Sequence, residues 1–243
     1  YNSSEQKWVS SIEGVIKTKA TNLYYAVQEA HKLISSTRTP ASKGLVIVNG
    51  TASTPNSYGT GVTTLTDVPN MIYDFSNFRV QPEASGACIS ATRCHNMEVR
   101  NFKAISTGGW GFLLHFVSSN NILVNNIELT GASGPFGIRM DGSSRTARME
   151  NPRVDGTVLF QGVGAGRLGI ETMFVKDFSA PTAIVGRQLG GCALLFNETD
   201  GGYIESMNVD DYGLNSPYAA FRIANSSTGN CLLYTSPSPR DRG

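Results

Sequence analysis

Charged side chains are scarce in this sequence, and neither sign predominates. Asp, Glu, Lys and Arg make up 16% of the 243 residues, and 20 basic against 19 acidic residues leave a formal net charge of +1. A chain without a basic excess lacks the long-range field that attracts nucleic acid or an anionic membrane surface. Long apolar runs are missing as well, whereas a helix that crosses a bilayer needs about 20 apolar residues. The composition therefore argues against a nucleic-acid partner and against a membrane span.

Cysteine is also scarce. The four cysteines, at positions 88, 94, 192 and 231, form no CxxC pair and no Cys and His spacing typical of zinc sites, so we predict no metal centre built on them. Glycine is abundant, with 26 residues, and Asn, Ser and Thr are frequent between the short apolar runs. This combination is typical of many short strands joined by tight turns.

Five short blocks of the sequence share one pattern, in which the second and fourth residues are mostly apolar and the third and fifth vary. Such alternation is typical of a strand with one buried face. The blocks recur roughly every 22 to 32 residues, a period that indicates a solenoid whose coils stack into one continuous core. The five blocks span residues 111–115, 137–141, 169–173, 193–197 and 220–224.

The third and fifth residues of each block are predicted to face outward. If successive coils align, these residues form two columns in which neighbours stand about 4.8 Å apart. Charged residues, which are scarce elsewhere, collect in the columns, and we expect the functional site there. The first column is predicted to contain Leu113, Arg139, Glu171, Leu195 and Arg222, and the second His115, Asp141, Met173, Asn197 and Ala224.

The residues before the blocks predict a helix and a first strand. Apolar residues at spacings of three and four within residues 22–36 predict an amphipathic helix, and residues 44–48 predict a short buried strand. Because an open solenoid end exposes apolar layers and unpaired backbone groups, we expect the helix to cap the first coil. The predicted fold class is an all-β parallel β-helix with an N-terminal capping α-helix. Its predicted parts are an N-terminal segment (1–43), the β-helix (44–230) and a non-native tail (231–243).

A change in sequence pattern at residue 231 predicts that residues 231–243 form a non-native tail. The run CLLYTSPSPRD at 231–241 contains no repeat block and has two prolines within three residues. A plausible reverse translation of this run resembles the transposon-end adapter used to prepare sequencing libraries, so we interpret it as a processing scar. The natural sequence is then expected to stop near Asn230, which would truncate the solenoid at its C-terminal end.

The sequence combines a predicted helix, a strand that ends at Asn49-Gly50 and coils with an Asn-rich turn at 119–122. Over residues 22–230 this combination resembles the pectate-lyase-like superfamily. The resemblance implies a right-handed parallel β-helix that is extracellular or periplasmic, its signal peptide not in this chain. It also implies action on a polysaccharide, most often an acidic one such as pectin. The chain lacks the Arg-x-Pro-x-x-Arg motif of pectate lyases and the Asn-Thr-Asp, Asp-Asp, Gly-His-Gly and Arg-Ile-Lys motifs of polygalacturonases. Lyase and hydrolase chemistry therefore both remain open.

Four outward residues, Arg139, Asp141, Glu171 and Arg222, are predicted to carry catalysis. Asp141 and Glu171 are one coil and two residues apart, which places their backbones about 8 Å from each other. Inverting glycoside hydrolases separate their two carboxyl groups by about 6.5–9.5 Å. A lyase needs instead a cation for the uronate carboxylate and a base for the neighbouring proton. Arg139 or Arg222 would supply the cation, and His115 the base.

His115, Asn197 and Trp110 are predicted to bind the substrate. No cofactor is expected, although Asp141, Glu171 and Asn197 offer oxygen ligands of the kind that calcium prefers. Two alternatives stay open: the charged residues form a ladder of ion pairs that only aligns the strands, or the same face belongs to a non-catalytic carbohydrate-binding or adhesin-type surface protein. In each case we expect a monomer with a polysaccharide partner.

Overall fold

The computed structural model describes residues 8–12, 15–20, 22–37, 43–48, 56–59, 61–75, 79–82, 87–105, 112–131, 136–162, 169–210, 219–224 and 231–232. Over these residues the chain forms an all-β parallel solenoid of about five turns, which confirms the fold predicted from the repeat blocks. A short helix precedes the turns, and successive turns add strands to two long parallel sheets.

The strands are short, and most contain four to nine residues. The elements in chain order are β1 (Trp8–Ile12), β2 (Val15–Ala20), α1 (Leu23–Thr37), β3 (Gly44–Ile47), β4 (Asn56–Gly59), β5 (Thr63–Thr66), β6 (Met71–Asp74), β7 (Arg79–Pro82), β8 (Ile89–Thr92), β9 (Glu98–Ile105), β10 (Phe112–Val117), β11 (Leu123–Thr130), β12 (Phe136–Asp141), β13 (Met149–Glu150), β14 (Arg153–Gln161), β15 (Ile170–Lys176), β16 (Ser179–Arg187), β17 (Leu194–Asp200), β18 (Tyr203–Asp210), β19 (Phe221–Ala224) and β20 (Cys231–Leu232).

The two long sheets contain β3 to β20, whereas β1 and β2 pair with each other in a separate antiparallel sheet. Sheet I runs in the spatial order β5, β8, β10, β12, β15, β17, β19, and β13 pairs with β15 at its side. Sheet II runs in the order β3, β6, β9, β11, β14, β16, β18, β20, with β4 and β7 beside it. All five repeat blocks fall on neighbouring strands of sheet I, from β10 to β19.

The core consists of inward columns of side chains that stack along the solenoid. Because side chains of a strand alternate between its faces, aligned coils place one inward residue over another. One column of sheet I is aliphatic over most of its length, and the next mixes large and small side chains, which pack closely in the interior. The first contains Ile89, Leu114, Ile138, Ile170 and Leu194, and the second Leu65, Ala91, Phe116, Met140, Thr172 and Phe196, none more than 1% exposed.

The register of sheet I corrects the predicted columns at one coil. The sequence pattern placed Leu113 beside Arg139 and His115 beside Asp141, but the structure pairs His115 with Arg139 and Val117 with Asp141. Leu113 falls opposite Gly137 instead and is buried, with 2% of its surface exposed. The space around Gly137 is crowded, since a Cβ atom there would lie 2.2 Å from the carbonyl oxygen of Gly169. Leu113 is therefore a core residue.

The other four blocks have the predicted register. Arg139 pairs with Glu171, Glu171 with Leu195, and Leu195 with Arg222. The second column continues from Asp141 through Met173, Asn197 and Ala224 in the same way.

Helix α1 lies against the first strands of the solenoid and buries Leu23, Ala26 and Val27. Its side chains also bind polar groups there: the Gln28 Oε1 atom accepts a hydrogen bond of 2.8 Å from the backbone N–H of Thr64 on β5. Since β5 is the edge strand of sheet I, the helix satisfies a donor that an exposed edge would leave unpaired. Within the described part of the chain, no helix is long and apolar enough to cross a membrane.

The C-terminal tail extends the fold by two residues more than the sequence predicts. Residues 231–243 are expected outside the solenoid, yet the backbone of Cys231 and Leu232 forms β20 and pairs with Tyr203 and Ile204 of β18. The physical reason is that β18 would otherwise present an open sheet edge, which any adjacent segment can pair with. Residues 233–243 lie outside the described part of the chain, and the adapter origin of the tail stays a prediction.

Stacked asparagines mark one corner of the coils. Asn70, Asn96, Asn121 and Asn151 all have a left-handed backbone, with φ between 52° and 60°. Their side-chain amides form a ladder from coil to coil: Asn121 donates to Asn96 over 2.9 Å and accepts from Asn151 over 3.1 Å. Asparagine tolerates this backbone because its short polar side chain bonds locally.

Asn121→Ala is expected to lower the free energy of unfolding by about 2 kcal/mol, because it removes two amide hydrogen bonds and puts a Cβ residue without a polar group into left-handed φ. Asn121→Gly is the matched control, since glycine relieves the backbone cost and leaves only the loss of the bonds. We expect urea unfolding to rank wild type above Gly and Gly above Ala. Equal stability of the three proteins would contradict a stabilising role for the ladder.

Candidate functional site

The outward face of sheet I brings four predicted residues together on three neighbouring strands. His115 comes from β10, Arg139 and Asp141 from β12, and Glu171 from β15. His115, Arg139 and Glu171 form a row across the strands because they occupy the same register position, and Asp141 stands two residues further along β12. We call these four residues the charged cluster.

Asp141 lies at the centre of the cluster and is 13% exposed. Its Oδ2 atom lies 2.6 Å from Arg139 Nε and 2.9 Å from His115 Nε2. Its Oδ1 atom is buried and has no hydrogen-bond partner. The neighbours of Asp141 in its own column are Val117 and Met173, so the carboxylate obtains its donors from the adjacent column. An ionised carboxylate can only accept, so a hydrogen bond to it requires a proton on His115 Nε2, which in a neutral ring leaves Nδ1 as the accepting nitrogen.

Arg139 connects the two carboxylates of the cluster. In addition to its bond to Asp141, its Nη1 atom lies 3.6 Å from Glu171 Oε2, and its Nη2 atom donates a weak hydrogen bond to Met173 Sδ over 3.9 Å. The guanidinium also lies over the ring of Phe112, with Cζ 5.1 Å from the ring centroid, in cation–π geometry. These contacts fix the orientation of Arg139.

Glu171 is the least exposed side chain of the cluster, at 12%. Burial is the largest influence on its pKa and raises it above the ordinary value for glutamate. Arg139 and His115 oppose this rise, and the carboxylate of Asp141 adds to it. Removal of a carboxyl group from water disfavours its charged form, so Glu171 retains its proton to a higher pH than an exposed glutamate.

The loop after β12 holds the end of that strand in place. Gly142 leaves no room for a side chain, since a Cβ atom there would lie 2.2 Å from the carbonyl oxygen of Phe174. Arg145 forms an ion pair of 2.5 Å with the buried carboxylate of Glu198, and Arg148 donates to the carbonyl oxygen of Glu198. These contacts tie the loop to β17 and thereby fix the position of Asp141 beside it.

The remaining predicted site residues lie further along the same face or outside the described chain. Arg222 is two strands from Glu171 in the first column, about 10 Å away, and Asn197 is two strands from Asp141 in the second. Leu195 lies between Glu171 and Arg222. Trp110 is outside the described residues. The face therefore contains a compact cluster and a flank that extends towards β19.

Sequence reasoning missed two partners of Arg139. Phe112 and Met173 are apolar, and the search for a site followed charged residues. The signal for Met173 was its position in an outward column, where an apolar side chain has to find a partner on the surface. Phe112 gave no such signal, because it stands at the start of an apolar run.

The calcium interpretation gains no support from this geometry. The described residues include no group of three or more His, Cys, Asp or Glu side chains that could hold a metal ion. Neither oxygen of Asp141 is open to a metal ion: Arg139 and His115 hydrogen-bond to Oδ2, and Oδ1 is buried.

In comparisons with known proteins, no protein-family model, curated protein or solved structure matches the chain. The parallel β-solenoid is consistent with a β-helix fold. A shared fold of this kind hosts many activities, so function has to be argued from the charged cluster itself.

Proposed function

We propose that the protein is a secreted enzyme that cleaves an acidic, pectin-like polysaccharide along the outward face of sheet I. One observation carries the proposal: a partly buried carboxyl group with a raised pKa, Glu171, and a histidine bonded to a carboxylate, His115 with Asp141, lie on either side of Arg139 on one face. A carboxylic acid that retains its proton and a histidine held by a carboxylate are common groups in acid–base catalysis.

Glu171 is the proton donor in this proposal. Cleavage of a glycosidic bond requires a proton on the leaving oxygen, and an acid with a raised pKa holds that proton to a higher pH than an exposed carboxyl group does. The pKa of Glu171 is raised mainly because burial removes its carboxyl group from water.

His115 is the base. Because Asp141 accepts from Nε2, the Nδ1 atom of His115 is the one that accepts a proton. It would take the proton from a water molecule in hydrolysis, or from the carbon next to a uronate carboxylate in elimination. The same acid and base serve both reactions, and the group from which His115 takes the proton distinguishes them.

Arginine side chains on this face favour an acidic substrate. Arg139 in the cluster and Arg222 two strands away present planar guanidinium groups, which bind carboxylates with two parallel hydrogen bonds. A chain of uronate units laid across the strands would meet both.

A second function is favoured by one feature of Arg139. Its guanidinium already has both carboxylates of the cluster as partners, as expected of an ion-paired ladder that aligns strands. The corresponding proposal is a non-catalytic carbohydrate-binding or adhesin-type surface protein that uses the same face.

Incubation of the protein with a panel of polyuronates, with a neutral glucan as the control polymer, tests these proposals. New reducing ends together with ultraviolet absorbance of unsaturated products indicate a lyase, and reducing ends without that absorbance indicate a hydrolase. Binding to a polyuronate without either product would favour the non-catalytic binding protein over the enzyme. Neither binding nor cleavage of any polyuronate would contradict both.

A further inference from the structure

Met173 differs from every other methionine of the chain. The sequence contains six methionines, and five of them are buried in the core with at most 6% of their surface exposed. Met173 is partly exposed and stands in the second outward column of sheet I. The five buried methionines are Met71, Met97, Met140, Met149 and Met207.

The thioether of Met173 has a specific polar partner. Its Sδ atom accepts a weak hydrogen bond from Arg139 Nη2 over 3.9 Å, and the register places Met173 directly beside Asp141 on one side and Asn197 on the other. Met173 is therefore partly exposed, and its sulfur contacts the arginine that links the two carboxylates of the cluster.

We propose that Met173 is a reversible oxidation site, and that its sulfoxide rearranges the ion pairs of Arg139. The oxidant is hydrogen peroxide: the thioether sulfur attacks one peroxide oxygen, an S–O bond forms as the O–O bond breaks, and the leaving hydroxide takes the proton from the oxygen now bound to sulfur and becomes water. The sulfur is oxidised by two electrons to the sulfoxide, and the peroxide is reduced.

The new oxygen changes the hydrogen bonding of Arg139. A sulfoxide oxygen accepts far more strongly than a thioether sulfur, which is only a weak acceptor. Arg139 Nη2 already points at the sulfur, so it donates to the new oxygen, and the guanidinium turns away from Glu171. The Arg139–Glu171 pair is the weaker of the two ion pairs of Arg139, at 3.6 Å against 2.6 Å for Asp141, and it is the one that breaks.

This rearrangement has a consequence for Glu171. Arg139 is the main group that opposes the rise of the Glu171 pKa caused by burial. Oxidation of Met173 therefore raises this pKa further, and reduction of the sulfoxide restores it. The inference does not depend on the proposed enzyme activity, because it concerns only these side chains.

Peptide mass mapping of the folded full chain during treatment with hydrogen peroxide tests the first part. Met173 is expected to gain one oxygen at least about tenfold faster than any other methionine, since oxidation follows exposure. Met207, the most exposed of the five core methionines at 6%, is the internal reference. A rate for Met173 no higher than that of Met207 would overturn the proposal.

The second part is tested by carbon-13 NMR titration of the Glu171 carboxyl group in the folded chain. The pKa of Glu171 is expected to rise after peroxide treatment and to return after treatment with methionine sulfoxide reductases. In the Met173→Leu variant, which keeps the side-chain volume without the sulfur, peroxide is expected to leave the pKa unchanged. An oxidised wild type with an unshifted Glu171 titration, or a peroxide-induced shift of equal size in Met173→Leu, would show that Met173 does not control Arg139.

Discussion

Glu171→Gln is expected to lower kcat for polyuronate cleavage by about 10²- to 10⁴-fold, the usual contribution of a general acid. The amide has nearly the same size as the carboxyl group but no proton to give to the leaving oxygen. Because the substitution keeps the shape of the face, we expect little change in KM. The measurement is the initial rate of product formation at saturating substrate, compared with that of wild type.

Leu195→Ala is the matched control, since this residue neighbours Glu171 in the same column and has no proton to transfer. It is expected to alter KM more than kcat. A Glu171→Gln protein that cleaves at the wild-type rate would remove Glu171 from the mechanism, and equal losses of kcat in the two variants would indicate a general disturbance of the face.

The stability of the Glu171→Gln protein relative to wild type is expected to change with pH, and the direction of the change follows from the pKa of Glu171. Burial raises the pKa of Glu171 in the folded state, so the folded protein holds a proton that the unfolded chain releases. The stability associated with that proton is fully present below the ordinary glutamate pKa and is lost as the pH rises through the raised value. Glutamine does not titrate. We therefore expect the free energy of unfolding of the variant, relative to wild type, to increase as the pH rises from the ordinary glutamate pKa of about 4.3 through the raised pKa of Glu171.

The fold was predictable because one pattern is repeated. Alternation within each block identified the strands of sheet I, and the spacing between blocks identified the solenoid. Sheet II was harder to predict, because several of its strands are interrupted by register shifts, such as the one between Asn125 and Ile127 on β11. A shift of this kind breaks the two-residue alternation on which the prediction of strands depends.

The error at His115 has a related cause. The prediction aligned the glycines at 111 and 137, whereas the structure moves β10 by two residues relative to that alignment. A shift of two residues preserves the two-residue alternation, so the sequence pattern cannot detect it, and Leu113, which was predicted to face outward, is buried in the core. As a result, His115 lies in the row of Arg139 and Glu171 instead of the predicted position beside Asp141, and it hydrogen-bonds to Asp141 from the adjacent column.

The candidate site was predictable only as a set of charged outward positions. The register of Arg139, Asp141 and Glu171 followed from the blocks, but the role of Arg139 as a link between two carboxylates depends on side-chain geometry. Burial of Glu171 was also beyond the pattern, since outward residues are expected to be exposed. The contacts of Arg139 with Phe112 and Met173 were likewise not predicted, because they join side chains of different strands.

Phe116→Ala is expected to lower the free energy of unfolding by about 3–5 kcal/mol, which is the usual cost of removing a fully buried phenylalanine ring. Phe116 is 0% exposed and lies in a central coil, between Ala91 and Met140 in its inward column. Ala91 is too small to fill the space, and the parallel strands on both sides hold the backbone in place, so a cavity remains. In a solenoid each coil is stabilised mainly by its neighbours, and a cavity in a central coil weakens both of its interfaces.

Val117→Ala supplies the matched control for this substitution. Val117 is the next residue on β10 and stands in the outward column beside Asp141, so its truncation opens no cavity in the core. We expect it to cost less than about 1 kcal/mol, as surface substitutions usually do. Chemical denaturation followed by circular dichroism measures both. A loss for Phe116→Ala no larger than that for Val117→Ala would mean that inward columns do not hold the coils together, and the outward face would then have no rigid sheet on which to position the charged cluster.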